Sequence, residues 1–189
     1  MKKLLFIIIP ILYSCEMSKI IEVTFDTEFG PIILELYPQN APITVNNFLK
    51  YVDEDRYNDF HFYRVVHLNN QDLNNIKIEV IQGGLGVEKH SNELPPILHE
   101  STKETKVKHL DGTISMARIE PGSASSEIFI CINDQPELDY NGMRNPDGQG
   151  FAAFGRVKSG MEIVKKIHQQ PSNEQILERK ITVYSINRK

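Results

Sequence analysis

The sequence predicts a mainly β domain, an antiparallel barrel with helices at its ends. Short segments alternating apolar and polar residues recur along the chain between Gly-, Pro- and Asn-rich loops, whereas helical periodicity is confined to two stretches. The order is strands, helix, several strands, helix, strand, which lacks the regular strand–helix alternation of a doubly wound sheet. At 189 residues, 40% hydrophobic and 24% charged, the chain matches one globular domain with a sizeable core rather than two.

The elements follow in order. IEVTFDTEFGPIILELY alternates on both sides of Glu28-Phe29-Gly30-Pro31, a hairpin signal. In APITVNNFLKYVDE, Pro42 stands near a helix start and Val45, Phe48, Leu49 and Val52 recur at helical spacing. FHFYRVV (60–66) reads as a strand, and strict period two puts Phe62, Arg64 and Val66 on one face, Tyr63 and Val65 on the other. Further strands are IEVIQ (78–82), GTISMA (112–117), EIFICI (127–132), FAAFGRV (151–157) and KITVYSI (180–186), with a helix over 160–169. Val80 and Gln82 share a face, as do Glu127 and Phe129, while Ile128 and Ile130 turn to the interior.

The N-terminus reads as an export signal, with Lys2 and Lys3 before the apolar run Leu4 to Leu12. That run is shorter than the about 20 residues a bilayer span requires. Leu12-Tyr13-Ser14-Cys15 resembles a bacterial lipobox, with Tyr13 a departure. The expected division is a signal peptide over 1–14, a lipidated N-terminus and tether over 15–21, and a folded domain over 22–189. Acyl chains on Cys15 would tie the protein to a membrane of the cell envelope, since two or more chains hold stably where one does not. The alternative is an uncleaved apolar N-terminus with an incidental cysteine. Cys131, inside IFICI, reads as a small buried hydrophobe.

Several chemistries have no support. A net charge of −4 argues against a nucleic-acid partner, which calls for a basic stripe. Six histidines are scattered without HExxH or paired ligand spacing, so no metal is expected. Gly122 to Ser126 lacks a GxSxG elbow, LDYNGMRNPDGQG lacks the ligand order of a calcium loop, and no cofactor motif is present.

FYRVV, QGG (82–84), GTISMAR (112–118), SSEIFICI (125–132), ELD (137–139) and FAAFGRV, in that order, resemble the cyclophilin-type peptidyl-prolyl isomerases, and the opening hairpin and helix resemble the same family. The resemblance implies a closed antiparallel eight-stranded barrel capped by two α-helices, with the site on its outer face. It implies that Arg64 is the catalytic arginine and that Gln82 holds it. Substrate contacts implied by position are Phe62, Val80, Ala117, Arg118, Glu127, Phe129, Leu138 and Phe151. Two insertions depart from the pattern, HLNNQDLNNIK after the arginine strand and YNGMRNPDGQ after the rim leucine (67–78 and 140–149). Glu79 replaces an aromatic, with Ile78 a candidate for its place, and Glu127 replaces a glutamine. Glu137 stands where cyclosporin-sensitive members carry tryptophan, so weak cyclosporin binding is implied.

The expected function is X-Pro isomerisation by a monomer acting on Pro-containing unfolded or secreted polypeptides in the bacterial cell envelope. The alternative is a chaperone or docking module that binds Pro segments with little or no turnover. By itself, Arg64 could also be a surface strand residue paired with an acid.

Overall fold

The computed structural model describes residues 20–86 and 88–189. The expected export signal over 1–14 and Cys15 lie outside the described residues. Strands β1 (Ile21–Thr27) and β2 (Gly30–Leu36) form the opening hairpin. They are followed by α1 (Pro42–Asp53), β3 (His61–Val66), β4 (Val80–Gly84), α2 (Thr102–Thr105), β5 (Thr113–Met116), β6 (Ile128–Cys131) and a 3-10 turn at Pro136–Leu138. The chain ends with β7 (Ala152–Ser159), α3 (Met161–His168), β8 (Ser172–Asn173) and β9 (Ile176–Arg188).

Eight strands close antiparallel in the order β1-β2-β7-β5-β6-β4-β3-β9, and the β9–β1 pairing seals the barrel. Closure removes the exposed strand edges that invite aggregation. The two-residue β8 folds back on β9 and lies outside the barrel, and with the one-turn α2 it is an element the periodicity does not signal. Both are too short for a repeat to show. The interior is filled by fully buried Phe25, Phe48, Phe60, Phe62 and Phe154 with aliphatic residues from every barrel strand. Phe25, Phe60 and Phe62 meet edge-to-face or tilted at 5.2–6.2 Å between centroids, the geometry aromatic quadrupoles favour.

Two helices cover the barrel. α1 buries Val45, Phe48, Leu49 and Val52, the residues its periodicity selects. Its N-cap residue, Ala41, offers no side-chain acceptor. Glu100, 57 residues from Ile43, supplies one instead: its carboxylate accepts from Ile43 N at 3.1 Å and Thr44 N at 2.7 Å. Two of the helix's unpaired amides are satisfied that way, and the negative charge sits at the favourable end of the helix dipole. α3 buries Val164 and Ile167 and packs on β2, β3 and β4. No helix among the described residues is long and apolar enough to cross a membrane.

Candidate active site

A second buried cluster lies apart from the barrel interior, built from Val66, Ile78, Val80, Phe129, Cys131 and Leu138, with Ala117 and Phe151 packed against it. It floors a cavity of about 380 Å³. Val80 and Phe129 reach it from neighbouring strands, because alternation sends Ile81, Ile128 and Ile130 into the interior. Phe151 stands edge-on to Phe129 at 5.3 Å, and the His109 ring stacks behind Phe129 at 5.9 Å. His109 is itself fixed from two sides, by Asp139 Oδ1 at 2.9 Å from Nδ1 and Ser115 Oγ at 3.0 Å from Nε2. Burial pulls the His109 imidazole below its ordinary value, against the pull of Asp139, so the ring is a neutral support. Burial also pushes the Cys131 thiol well up, which leaves it an inert apolar filler.

Arg64 stands at the edge of this cavity, and a bulge puts it there. In the β3–β4 register Phe62 pairs with Gly83 and Arg64 with Gln82, so Tyr63 is the extra residue. The bulge overturns the strict alternation expected of this strand. Phe62 is fully buried in the barrel interior and does not line the cavity, which removes it from the substrate contacts. Tyr63 and Arg64 both face outward, and Val65 returns to the core.

The outward pair builds a chain of hydrogen bonds. Arg64 Nη1 donates to Gln82 Oε1 at 2.6 Å, Gln82 Nε2 donates to the Tyr63 hydroxyl at 2.8 Å, and that hydroxyl donates to Glu127 Oε2 at 2.6 Å. Burial first, and then the Glu127 carboxylate, push the Tyr63 phenol far above its ordinary value, so it stays a donor. Its one acceptor position then fixes which way the Gln82 amide points. Arg64 is held a second time by Gln175 Oε1, 3.0 Å from Nε and also bonded to Nη2. Burial pulls the guanidinium below its usual value, yet an arginine begins so high that it keeps its charge. Tyr63 and Gln175 escape sequence reasoning. Alternation sends Tyr63 to the wrong face, and Gln175 sits on the β8–β9 turn, 111 residues from Arg64.

Glycines complete the QGG stretch. A Cβ at Gly83 would meet His61 O at 2.6 Å and the Phe60 ring, and one at Gly84 would collide with the Glu127 carboxylate. Glu127 is therefore seated close against the backbone, where it also accepts from Gly86 N at 2.9 Å. Both insertions join the site. Gln71, almost fully buried, bridges His67 O and Ile78 O with its amide at 2.6 and 2.8 Å, which folds the first insertion down and delivers Ile78 to the cavity. Glu79 points away and accepts from Asn133, so Ile78 supplies the wall. Arg118 forks onto Asp147 at 2.8 and 2.9 Å and onto Gly150 O. Its side chain is thus spent on pinning the second insertion, and it lies over Phe151 at 5.2 Å. Ala117, Leu138 and Glu127 all line the cavity.

Fold and site together define a closed β-barrel protein that carries, outside its core, an apolar pocket edged by a fixed arginine. Residues 21–188 match the family model of the cyclophilin type peptidyl-prolyl cis-trans isomerase. Peptidyl-prolyl cis-trans isomerase B of Escherichia coli (strain K12) is 34% identical over 175 residues, 85% of this chain and 98% of that protein. Peptidyl-prolyl cis-trans isomerase A of Dickeya dadantii (strain 3937) is 38% identical over 149 residues, 78% of this chain and 70% of that protein. A crystal structure of a Cryptosporidium parvum cyclophilin type peptidyl-prolyl cis-trans isomerase shares the fold, with a TM-score of 0.67 at 22% identity over 90% of this chain and 98% of that one. The chain belongs to the cyclophilin-type peptidyl-prolyl cis-trans isomerases.

Proposed function

We propose that the protein accelerates cis–trans exchange of X-Pro bonds in unfolded or secreted polypeptides, that Arg64 is its catalytic residue, and that a lipid on Cys15 holds it at a membrane of the bacterial cell envelope. The observation that carries the catalytic part is the guanidinium, held by Gln82 and Gln175 at the edge of a pocket floored by Val80, Phe129 and Leu138.

Rotation about a peptide bond breaks amide resonance against a barrier of about 18–20 kcal/mol. The two X-Pro isomers differ by only about 1 kcal/mol, so a catalyst needs no energy source. As the bond twists, the prolyl nitrogen becomes pyramidal and gains a lone pair that the planar amide lacks. A fixed cationic donor beside that nitrogen stabilises the twisted state more than the planar one, which is the condition for catalysis. The apolar floor holds the proline ring and excludes water, strengthening the arginine's field. Because Gln82 and Gln175 orient the guanidinium before substrate arrives, little reorganisation remains for the transition state.

Relaxation of a cis-enriched Pro peptide is the test. Arg64→Ala is expected to lower kcat/KM by well over about tenfold, the size of losing one oriented electrostatic donor. An unchanged rate in that variant rules out the mechanism. The membrane reading is supported by the lipobox-like Leu12-Tyr13-Ser14-Cys15. Cys15→Ser should leave the protein unprocessed and unacylated, and an acylated mass in that variant would sink it.

A further inference from the structure

The two insertions meet at one side chain. Arg144, in the second, donates from Nη1 to Gln71 Oε1 at 2.8 Å and to Ile76 O at 2.6 Å in the first. It lines the same cavity as Arg64. The other charged groups of that cavity are Arg118, Glu93 and Glu127, and their bonds separate them from Arg144. Arg118 is forked onto Asp147 and Gly150, and Arg64 is shared by Gln82 and Gln175. Glu127 is engaged by Tyr63, Gly86 and Ser126, and Glu93 accepts from Ser125 Oγ at 2.8 Å.

Arg144 differs. Among the described residues it has no carboxylate partner, both of its side-chain hydrogen bonds leave from Nη1, and Nε and Nη2 keep donors with no acceptor there. The side chain is half-buried, and burial followed by the nearby Arg64 disfavours its charge. A partly desolvated guanidinium with a free edge, beside a second guanidinium, attracts a carboxylate, whose two oxygens match that edge.

We propose that Arg144 is a specificity-determining residue that selects proline segments carrying an Asp or Glu side chain next to the proline. This rests on the isomerase reading above. The second insertion supplies the residue, and the first orients it through Gln71 and Ile76. Arg144 does no chemistry. It biases which X-Pro bonds are brought to Arg64.

The experiment uses the full chain in detergent and matched Pro peptides with Glu, Gln or Lys immediately before or immediately after the proline. At low salt the Glu peptide should exceed its Gln counterpart in kcat/KM by about fivefold at one of the two positions, and added salt should erode that advantage. R144Q should abolish the Glu/Gln ratio, while R144K should retain part of it, since lysine keeps the charge and loses the fork. The ratio is taken within each protein, so a partly unfolded R144Q preparation does not distort it. An unchanged ratio in R144Q, or a Lys preference in the parent, overturns the proposal while leaving the isomerase reading intact. Failure to accelerate any of the peptides overturns the isomerase reading, and the proposal with it.

Discussion

Arg64 is fixed through neighbours that differ in how visible they are. Gln82 stands opposite Arg64 in the β3–β4 register, and its role follows from the family pattern. Tyr63 works one step further back, since its hydroxyl takes the Gln82 amide hydrogen and leaves Oε1 for Arg64. Tyr63→Phe removes that constraint without changing the ring that packs there. It should lower kcat/KM about three- to tenfold, the value of one hydrogen bond of about 1 kcal/mol in a polar chain. If the chain is the cause, Tyr63→Phe combined with Gln82→Ala costs little more than Gln82→Ala alone; fully additive losses would refute it. Gln175→Ala should also act on kcat more than on KM, because Gln175 touches the arginine rather than the pocket floor.

Elements owe their position to contacts that run far across the chain. α1 reads clearly from its apolar spacing and from Pro42, but its N-terminal amides are capped by Glu100, a residue with no local signal. Glu100→Ala leaves three donors, the two amides and the Thr44 hydroxyl, without their acceptor in a place where Glu100 is 9% exposed. A loss of about 2 kcal/mol is expected from urea unfolding at unchanged m-value, in line with charged hydrogen bonds to helix amides. A loss below a few tenths would mean that water replaces the carboxylate. β3 shows the opposite balance. Its composition makes it a strand, yet the bulge at Tyr63 decides which side chains face the pocket. Period two is an average property of a pleated ladder, and one inserted residue reverses it downstream.

For the whole molecule, buried titratable groups couple stability to pH. His109 lies fully buried, and its lowered affinity for protons means that the unfolded chain binds more of them just below the ordinary value of 6.5. Stability from this site is complete above that pH and is lost as pH falls toward the lowered folded value. His67, lowered by burial and by His168, whose ring lies tilted against it at 3.9 Å, adds to the same window. Asp139 is raised by burial but held below its ordinary 3.8 overall by His109. Its contribution is present above 3.8 and lost at more acid pH. The Tm should therefore fall between pH 7.5 and 5, and His109→Gln, which keeps polar atoms near Asp139 and Ser115, should flatten that slope. An equal slope in the variant would assign the effect elsewhere.

The sequence by itself determined the barrel, its order of strands and two covering helices, and the positions of Arg64, Gln82, Val80, Phe129, Leu138 and Phe151. The strands and helices follow from alternation and helical spacing, which are local properties of the chain, and the six side chains from ordered motifs that resemble those of the cyclophilin-type isomerases. Only the tertiary structure decided that Phe62 turns inward, that Ile78 replaces Glu79 at the wall, and that Tyr63, Gln175 and Arg144 gather around the arginine. Each depends on a bulge, a turn or an insertion meeting residues far away in sequence, and no repeat along the chain encodes such a meeting.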